Sequence, residues 1–278
     1  MKKKLLSVLG IGCLAFSLAA CGGGEAGKEE GKADNKVLKV GASPTPHAEI
    51  LEHVKPKLEK EGIELEIVEF QDYVLPNKTL AEGEIDANYF QHIPFFEEAK
   101  AENGYDFVNA GNIHIELMAF YSQSVKDIRD LKDGATVLVS NSKTDWGRNI
   151  AILQEAGLVK VKEGVDVKTA TFEDIVENPK NLVFKNDVNA ELLTTAYQND
   201  EADLIAINAN FAGTIDLAPE RDGIIVESDN APYANLVAVR SEDKDDERIK
   251  KLVDALHDSE TQQWIEEKWN GKIKPVKK

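Results

Sequence analysis

From Val37 onward, short aliphatic runs alternate with stretches of helical periodicity, and that alternation constrains the fold more than any other property of the chain. Val37-Leu38-Lys39-Val40 reads as a strand, followed by a loop at Pro44, Thr45 and Pro46. Leu51, Val54 and Leu58 then recur at spacings of three and four, as one helix face does, until Gly62 stops the run. Residues 63–68 alternate apolar and polar, the pattern of a half-buried strand. Next come an expected helix over 75–83, a strand over 85–90, a helix over 94–103 and strands over 107–110 and 116–121.

A second series begins at Ala135-Thr136-Val137-Leu138-Val139. It predicts a helix over 145–156 ended by Gly157, a strand near Val165, helices near Asp174 and over 190–197, and a strand over 204–207. Residues 233–240 read as another strand and 246–269 as closing helices. One local pattern recurs: Glu84-Ile85-Asp86-Ala87-Asn88 in the first series and Glu201-Ala202-Asp203-Leu204-Ile205, ahead of Asn208, in the second. Each is expected to place polar residues at the C-terminal end of a buried strand, where open α/β sheets bind ligands. The expectation is an α/β fold with mainly parallel sheets, in two similar lobes with a ligand cleft between them. Lobe I takes residues 37–120 with 235–278, and lobe II takes residues 121–234.

The N-terminus is an address. Lys2, Lys3 and Lys4 precede an apolar run over 5–20, which is short for a permanent span of a ~30 Å hydrocarbon layer and suits a secretory signal. It ends Leu18-Ala19-Ala20-Cys21, which resembles the bacterial lipobox: small residues before a cysteine that is lipidated and becomes the first residue of the mature chain. Residues 21–36 are rich in Gly, Glu and Lys and read as a flexible tether from the membrane. The only other cysteine, Cys13, leaves with the signal, so the mature body holds no disulfide, cysteine zinc site or cysteine nucleophile. The full chain has 33 Lys+Arg against 50 Asp+Glu, a net charge of -17, and losing three lysines makes the mature charge -20. Such an acidic surface repels phosphate backbones, which argues against a nucleic-acid partner.

No phosphate-binding, dinucleotide, serine-elbow or zincin motif occurs in the mature chain. Of five histidines, His47, His92 and His114 fall near expected strand ends, which makes zinc capture conceivable, but no two histidines share a ligand spacing and no metal is assigned. The most informative segment is Asp86-Ala87-Asn88-Tyr89-Phe90-Gln91-His92-Ile93-Pro94. Strict alternation puts Phe90 and His92 on one side and Tyr89 and Gln91 on the other. Tyr73, in Phe70-Gln71-Asp72-Tyr73-Val74-Leu75-Pro76-Asn77, is a further aromatic at a strand end. Together they suggest an aromatic-walled pocket for a small amphipathic ligand. Arg148 lies at the start of the helix that follows Ser140-Asn141-Ser142, where its guanidinium can grip a carboxylate in two parallel bonds. The alternative is a surface arginine paired with Asp145. On the ligand-gripping reading, Arg148→Ala abolishes binding and leaves the thermal midpoint of the free protein nearly unchanged.

Longer strings give a resemblance. Val40-Gly41-Ala42-Ser43-Pro44-Thr45-Pro46-His47-Ala48-Glu49-Ile50-Leu51, Asp72-Tyr73-Val74-Leu75-Pro76-Asn77, Asp86-Ala87-Asn88-Tyr89-Phe90-Gln91-His92, Gly147-Arg148, Glu177-Asn178-Pro179-Lys180-Asn181-Leu182, Ile207-Asn208 and Tyr233-Ala234-Asn235-Leu236 run in order through most of the mature body. They resemble the NlpA/MetQ-type lipoproteins, methionine-binding components of bacterial ABC importers. The resemblance implies a two-lobed, type II periplasmic-binding-protein-like fold that closes on an amino acid and delivers it to permease subunits. It implies no enzymatic activity and no cofactor, with the protein lipid-anchored at Cys21 on the extracytoplasmic face. By resemblance, Tyr73, Phe90 and His92 wall the side-chain pocket, Arg148 takes the α-carboxylate, and Asn208 and Asn235 bond the amino and carboxylate groups.

The sequence departs from the family pattern at Ser140-Asn141-Ser142, Asp145, Leu117, Phe120 and Thr194-Thr195. These departures bear on ligand identity. Methionine is the leading expectation, with a methionine-containing dipeptide or another amino-acid derivative as the alternative. A metal-capture lipoprotein, a lipoprotein hydrolase and an adhesion protein are the other classes weighed.

Overall fold

The computed structural model describes residues 36–228, 233–270 and 272–277. The signal at 1–20, Cys21 and the tether up to residue 35 lie outside the described residues.

Two mixed sheets organise the chain. The first is ordered β13-β4-β12-β3-β1-β2, where β1 is Val37–Ala42, β2 Glu64–Glu69, β3 Ala87–His92, β4 Phe107–Glu116, β12 Ala234–Arg240 and β13 Ile273–Pro275. The second is ordered β11-β5-β10-β6-β9, where β5 is Ala119–Tyr121, β6 Thr136–Ser140, β9 Val183–Val188, β10 Leu204–Ile207 and β11 Ile225–Val226. A small ribbon pairs β7 (Lys160–Val161) with β8 (Ile175–Glu177). The chain passes between the sheets at 117–118 and again after β11.

Helices cover both faces of each sheet. Behind the first sheet, α1 (Glu49–Lys60), α8 (Glu247–His257) and α9 (Ser259–Lys268) share one apolar cluster with β1 and β2. Leu51, Val54 and Leu58 of α1 are fully buried there, each contributing roughly 1.5–3 kcal/mol of apolar burial. Leu80 of α2 (Leu75–Ala81) and Phe96 of α3 (Ile93–Asn103) fill the other face. In the second lobe, α4 (Trp146–Glu155) covers one face through Ile150, Ile152 and Leu153. The opposite face is covered by α5 (Leu193–Gln198) and α6 (Ala209–Thr214), with α7 (Pro219–Asp222) close by.

The expected alternation is present, with local differences. Both sheets are mixed rather than mainly parallel, because β12 and β4 pair antiparallel in the first and β5 pairs antiparallel with β10 in the second. The expected strands at 107–110 and 116–121 become one long strand, β4, and a short one, β5, in the other sheet. No strand forms at Val165, and the helix expected near Asp174 is a single 3-10 turn running into β8. Strand β9 was not anticipated, since its residues alternate only between half-buried and exposed.

The duplicated acidic segment has a structural counterpart. Asp86 Oδ2 accepts the backbone N–H of Lys39, and Asp203 Oδ2 accepts that of Thr136, each at 2.8 Å. Both aspartates therefore stand just before a strand and tie its start to a neighbour, rather than sitting at the C-terminal end as expected. Asn208, immediately after β10, does occupy a C-terminal end.

Candidate ligand-binding site

Strand ends and helix starts from both lobes meet at one pocket. Tyr73 comes from the loop before α2, Phe90 and His92 from the end of β3, and Asn235 from the start of β12 opposite His92. From the second lobe come Arg148, in the first turn of α4, and Asn208, the N-cap of α6. All six line the same pocket, with Gln91, Phe95, Glu116, Asp145, Ala209 and Asn210 completing the lining. The cavity left between these side chains is narrow, about 30 Å³.

One wall is aromatic. The Tyr73 ring lies 6.1 Å from Phe90, 5.7 Å from Phe95 and 5.0 Å from Phe211, in tilted and edge-on arrangements. Such rings offer polarisable surface to an apolar side chain or a thioether. The Tyr73 hydroxyl donates to Asn210 Oδ1 at 2.7 Å, a bond that spans the two lobes. A second bond does the same. His92 accepts the Phe95 N–H on Nδ1, so its proton sits on Nε2 and is donated to Asp145 Oδ1 at 3.0 Å.

A bulge in β3 sets which side chains reach the pocket. Val237 pairs with Tyr89 and Leu236 with Gln91, so Phe90 is left unpaired in the register with β12. Gln91 consequently shares a side with Asn88, to which it donates a hydrogen bond at 2.9 Å. Tyr89 instead reaches His114. The expected pairing of Tyr89 with Gln91 on one side fails because the bulge shifts the period by one residue.

The opposite wall carries charge. Arg148 is 4% exposed and is not a surface residue. Its Nε donates to Glu227 Oε1 at 2.7 Å and its Nη2 to Glu227 Oε2 at 2.5 Å and to the Glu116 carbonyl at 2.7 Å. The guanidinium also lies 4.3 Å from the Tyr233 ring centroid. Of its five N–H donors, the two on Nη1 make no hydrogen bond among the described residues. Asp145, named by sequence as the competing partner, is only within 4.0 Å of Nη1; its oxygens are taken by His92 and by Asn208 Nδ2 at 3.0 Å. Burial pushes the Asp145 carboxyl up, but the His92 bond, Arg148 and Asn208 outweigh it and hold its pKa below the ordinary value.

Behind the pocket lies a buried polar chain. Tyr89 donates its hydroxyl to His114 Nδ1, so the His114 proton sits on Nε2 and goes to Glu116 Oε1 at 2.8 Å. His47 Nε2 lies 3.2 Å from the same oxygen and 3.0 Å from Asn235 Oδ1, both acceptors. Burial lowers the pKa of His47 to about 4 and of His114 to about 3, so both imidazoles are neutral near pH 7. Burial also raises the pKa of Glu116. The ligating atoms of His47, His114 and Glu116 lie within 4.8 Å of one another, close enough for a metal ion. A metal would have to displace the protons that both Nε2 atoms place in these hydrogen bonds.

Sequence reasoning missed Glu116, Glu227, Phe95 and Asn210. Glu116 carried a signal: His114 and Glu116 sit two apart inside the apolar string Ile113-His114-Ile115-Glu116-Leu117-Met118, on one side of a strand. Glu227 carried none. Leu117 and Phe120, noted as departures, are core residues at 3% and 0% exposure.

A cleft between two α/β lobes, lined by strand ends and helix starts from both, defines a two-lobed substrate-binding protein. The chain belongs to the NlpA lipoprotein family, whose model matches residues 38–277. It is 44% identical over 280 residues to the methionine-binding lipoprotein MetQ of Bacillus subtilis (strain 168), with 99% of each chain covered. It is 37% identical over 272 residues to the D-methionine-binding lipoprotein MetQ of Escherichia coli (strain K12), covering 98% of each. Among solved structures, a pheromone cOB1 precursor/lipoprotein of the YaeC family from Enterococcus faecalis V583 matches at TM-score 0.85 and 55% identity, over 86% of this chain and 100% of that one. A nutrient binding protein from Burkholderia cenocepacia, bound to methionine, matches at TM-score 0.80 and 37% identity, over 86% and 99%.

Proposed function

We propose that this chain is the lipid-anchored substrate-binding protein of an ABC importer, that it holds methionine or a closely related amino acid between its lobes, and that it catalyses no reaction. The observation that carries this reading is the pocket itself. An aromatic wall suited to a thioether faces two free N–H donors on Arg148 Nη1, suited to a carboxylate. Asn235 Oδ1 is occupied by His47, so its amide N–H groups are the part left for a ligand. Relatives named as methionine-binding, and one solved in complex with methionine, support the same ligand.

On this reading the lobes follow the sheets, near the expected division at 120/121 and 234/235. The first crossover comes slightly earlier, at 117–118, because β5 already belongs to the second sheet. Closure about the two crossovers traps the ligand and presents one shape to the permease. Cys21 carries the anchor. No helix among the described residues is long and apolar enough to cross a membrane.

The deciding experiment is mass spectrometry of small molecules released on denaturing the purified protein, followed by calorimetry with the compound found. Saturable, stoichiometric binding of L-methionine without turnover is expected. No released compound, and no heat with methionine, the other amino acids or methionine-containing dipeptides, overturns the reading. Cys21→Ser should move the protein from the membrane fraction to the soluble one; continued membrane retention would refute the anchor.

A further inference from the structure

Three buried carboxylates surround the pocket region: Glu116, Asp145 and Glu227, exposed at 7%, 1% and 8%. Among the described residues only one permanent cation, Arg148, is buried with them, and its fork is closed on Glu227. Asp145 is bonded by His92 and Asn208 and keeps Arg148 Nη1 within 4.0 Å. Glu116 is different. Its side chain is held by the imidazoles of His47 and His114, which burial keeps neutral, and by the backbone N–H of Asn210; the Arg148 charge acts on it only at a distance, with no ion pair between the two among the described residues. A buried carboxylate with hydrogen bonds but no cation in direct contact is costly unless one completes it. Glu116 lines the pocket, so a ligand can supply that cation.

We propose that Glu116, positioned from behind by His47 and His114, is the specificity-determining counter-group for the ligand's ammonium, so that the pocket selects molecules with a free protonated amine and rejects isosteric α-hydroxy or N-acylated acids. This rests on the amino-acid reading above and adds to it the residue that sets the class. Arg148 Nη1 takes the ligand carboxylate on one side while Glu116 takes the ammonium on the other, and the zwitterion is neutralised at both ends. A hydroxyl in place of the ammonium leaves Glu116 buried without its cation, and an acyl group removes the charge as well as adding bulk.

The test is calorimetry of the wild-type protein and of the Glu116→Gln, Glu116→Asp and Asp145→Asn variants, each with L-methionine and with its α-hydroxy analogue. The wild type is expected to prefer methionine by at least ~100-fold, the range in which a missing polar partner is felt. Glu116→Gln is expected to shrink that ratio to about tenfold or less, chiefly by weakening methionine, while Glu116→Asp keeps more of it and Asp145→Asn keeps most. A purely structural role for Glu116 would weaken both compounds alike and leave the ratio unchanged, which overturns the proposal. A ratio that collapses only in Asp145→Asn also overturns it, and can be read even if Glu116→Gln fails to fold. Binding of neither compound by the wild type overturns the amino-acid reading and this inference with it, whereas methionine binding with no preference over the analogue overturns this inference alone.

Discussion

Arg148 closes its guanidinium on Glu227, 79 residues further along the chain, through Nε and Nη2. The pair sits where the chain crosses between the lobes. Glu227 Oε2 also accepts the Met118 N–H at 3.1 Å, the Glu227 N–H donates to the Met118 carbonyl at 2.9 Å, and Arg148 reaches the Glu116 carbonyl. One helix-borne arginine thus ties both crossovers together and presents its remaining edge to the pocket.

That relationship reverses one expectation. From sequence, Arg148→Ala should abolish binding without moving the thermal midpoint of the free protein. In the structure it strands a buried Glu227, which costs about 3–5 kcal/mol. Arg148→Ala should therefore lose binding and also lower the midpoint by roughly 10 °C. Replacing the pair together, with Arg148→Met and Glu227→Leu, should recover much of the midpoint but not the binding. An unchanged midpoint in the single variant would refute the clasp.

Gly147→Ala should be destabilising, against the usual helix trend. Alanine in place of a helical glycine ordinarily stabilises by about 0.5–1 kcal/mol. Here an added Cβ would lie 2.2 Å from the Lys168 carbonyl oxygen, so the backbone at 167–169 must move away from α4. A loss of about 2 kcal/mol or more is expected in denaturant unfolding, with weaker ligand binding because Arg148 is the next residue. A gain in stability would show that the loop yields freely.

Tyr73→Phe tests closure. The substitution keeps the ring and removes only the bond to Asn210, one of several side-chain bonds described above that span the lobes. The closed form should lose about 1 kcal/mol relative to the open one. Small-angle scattering should give a larger radius of gyration for the free Tyr73→Phe protein than for the wild type. Saturating ligand should restore the compact value. Identical free-state radii would mean that the bond does not contribute to closure.

Acid should destabilise the fold through His47 and His114. In the unfolded chain both bind protons as pH falls through 6.5, but in the folded protein they remain neutral down to about 4 and about 3. The unfolded state then holds more protons, so stability is complete above 6.5 and is lost as pH falls toward the folded values. The loss is on the order of 2 kcal/mol per histidine at about pH 5. Glu116 opposes it, since its raised pKa lets the folded state take up a proton before the unfolded one. The midpoint should fall between about pH 7 and pH 5, and a double variant His47→Gln with His114→Gln should show a flatter slope whatever its absolute stability. Equal slopes would remove these histidines from the pH response.

Much of the fold was legible because helix and strand periods are properties of a few adjacent residues. The stripe Leu51, Val54, Leu58 became the buried face of α1, and Leu204–Ile207 became a fully buried strand. Strand β9 escaped because it is an edge strand whose inward residues are only half-buried, and the β3 bulge escaped because it depends on pairing with a strand some 150 residues away. The aromatic and polar residues of the pocket were legible as crowding at strand ends. Glu227 was not, since nothing beside it in sequence distinguishes it from the many acidic residues on the surface.

The sequence by itself determined the alternating α/β lobes and singled out six residues that converge on one pocket. Only the tertiary structure decided which carboxylate pairs with Arg148 and which is held by neutral imidazoles instead. The physical reason is that periodicity is local, whereas the pairing of buried charges depends on which strand ends and crossovers meet, and in a low-dielectric interior a few ångströms separate a partner from a bystander.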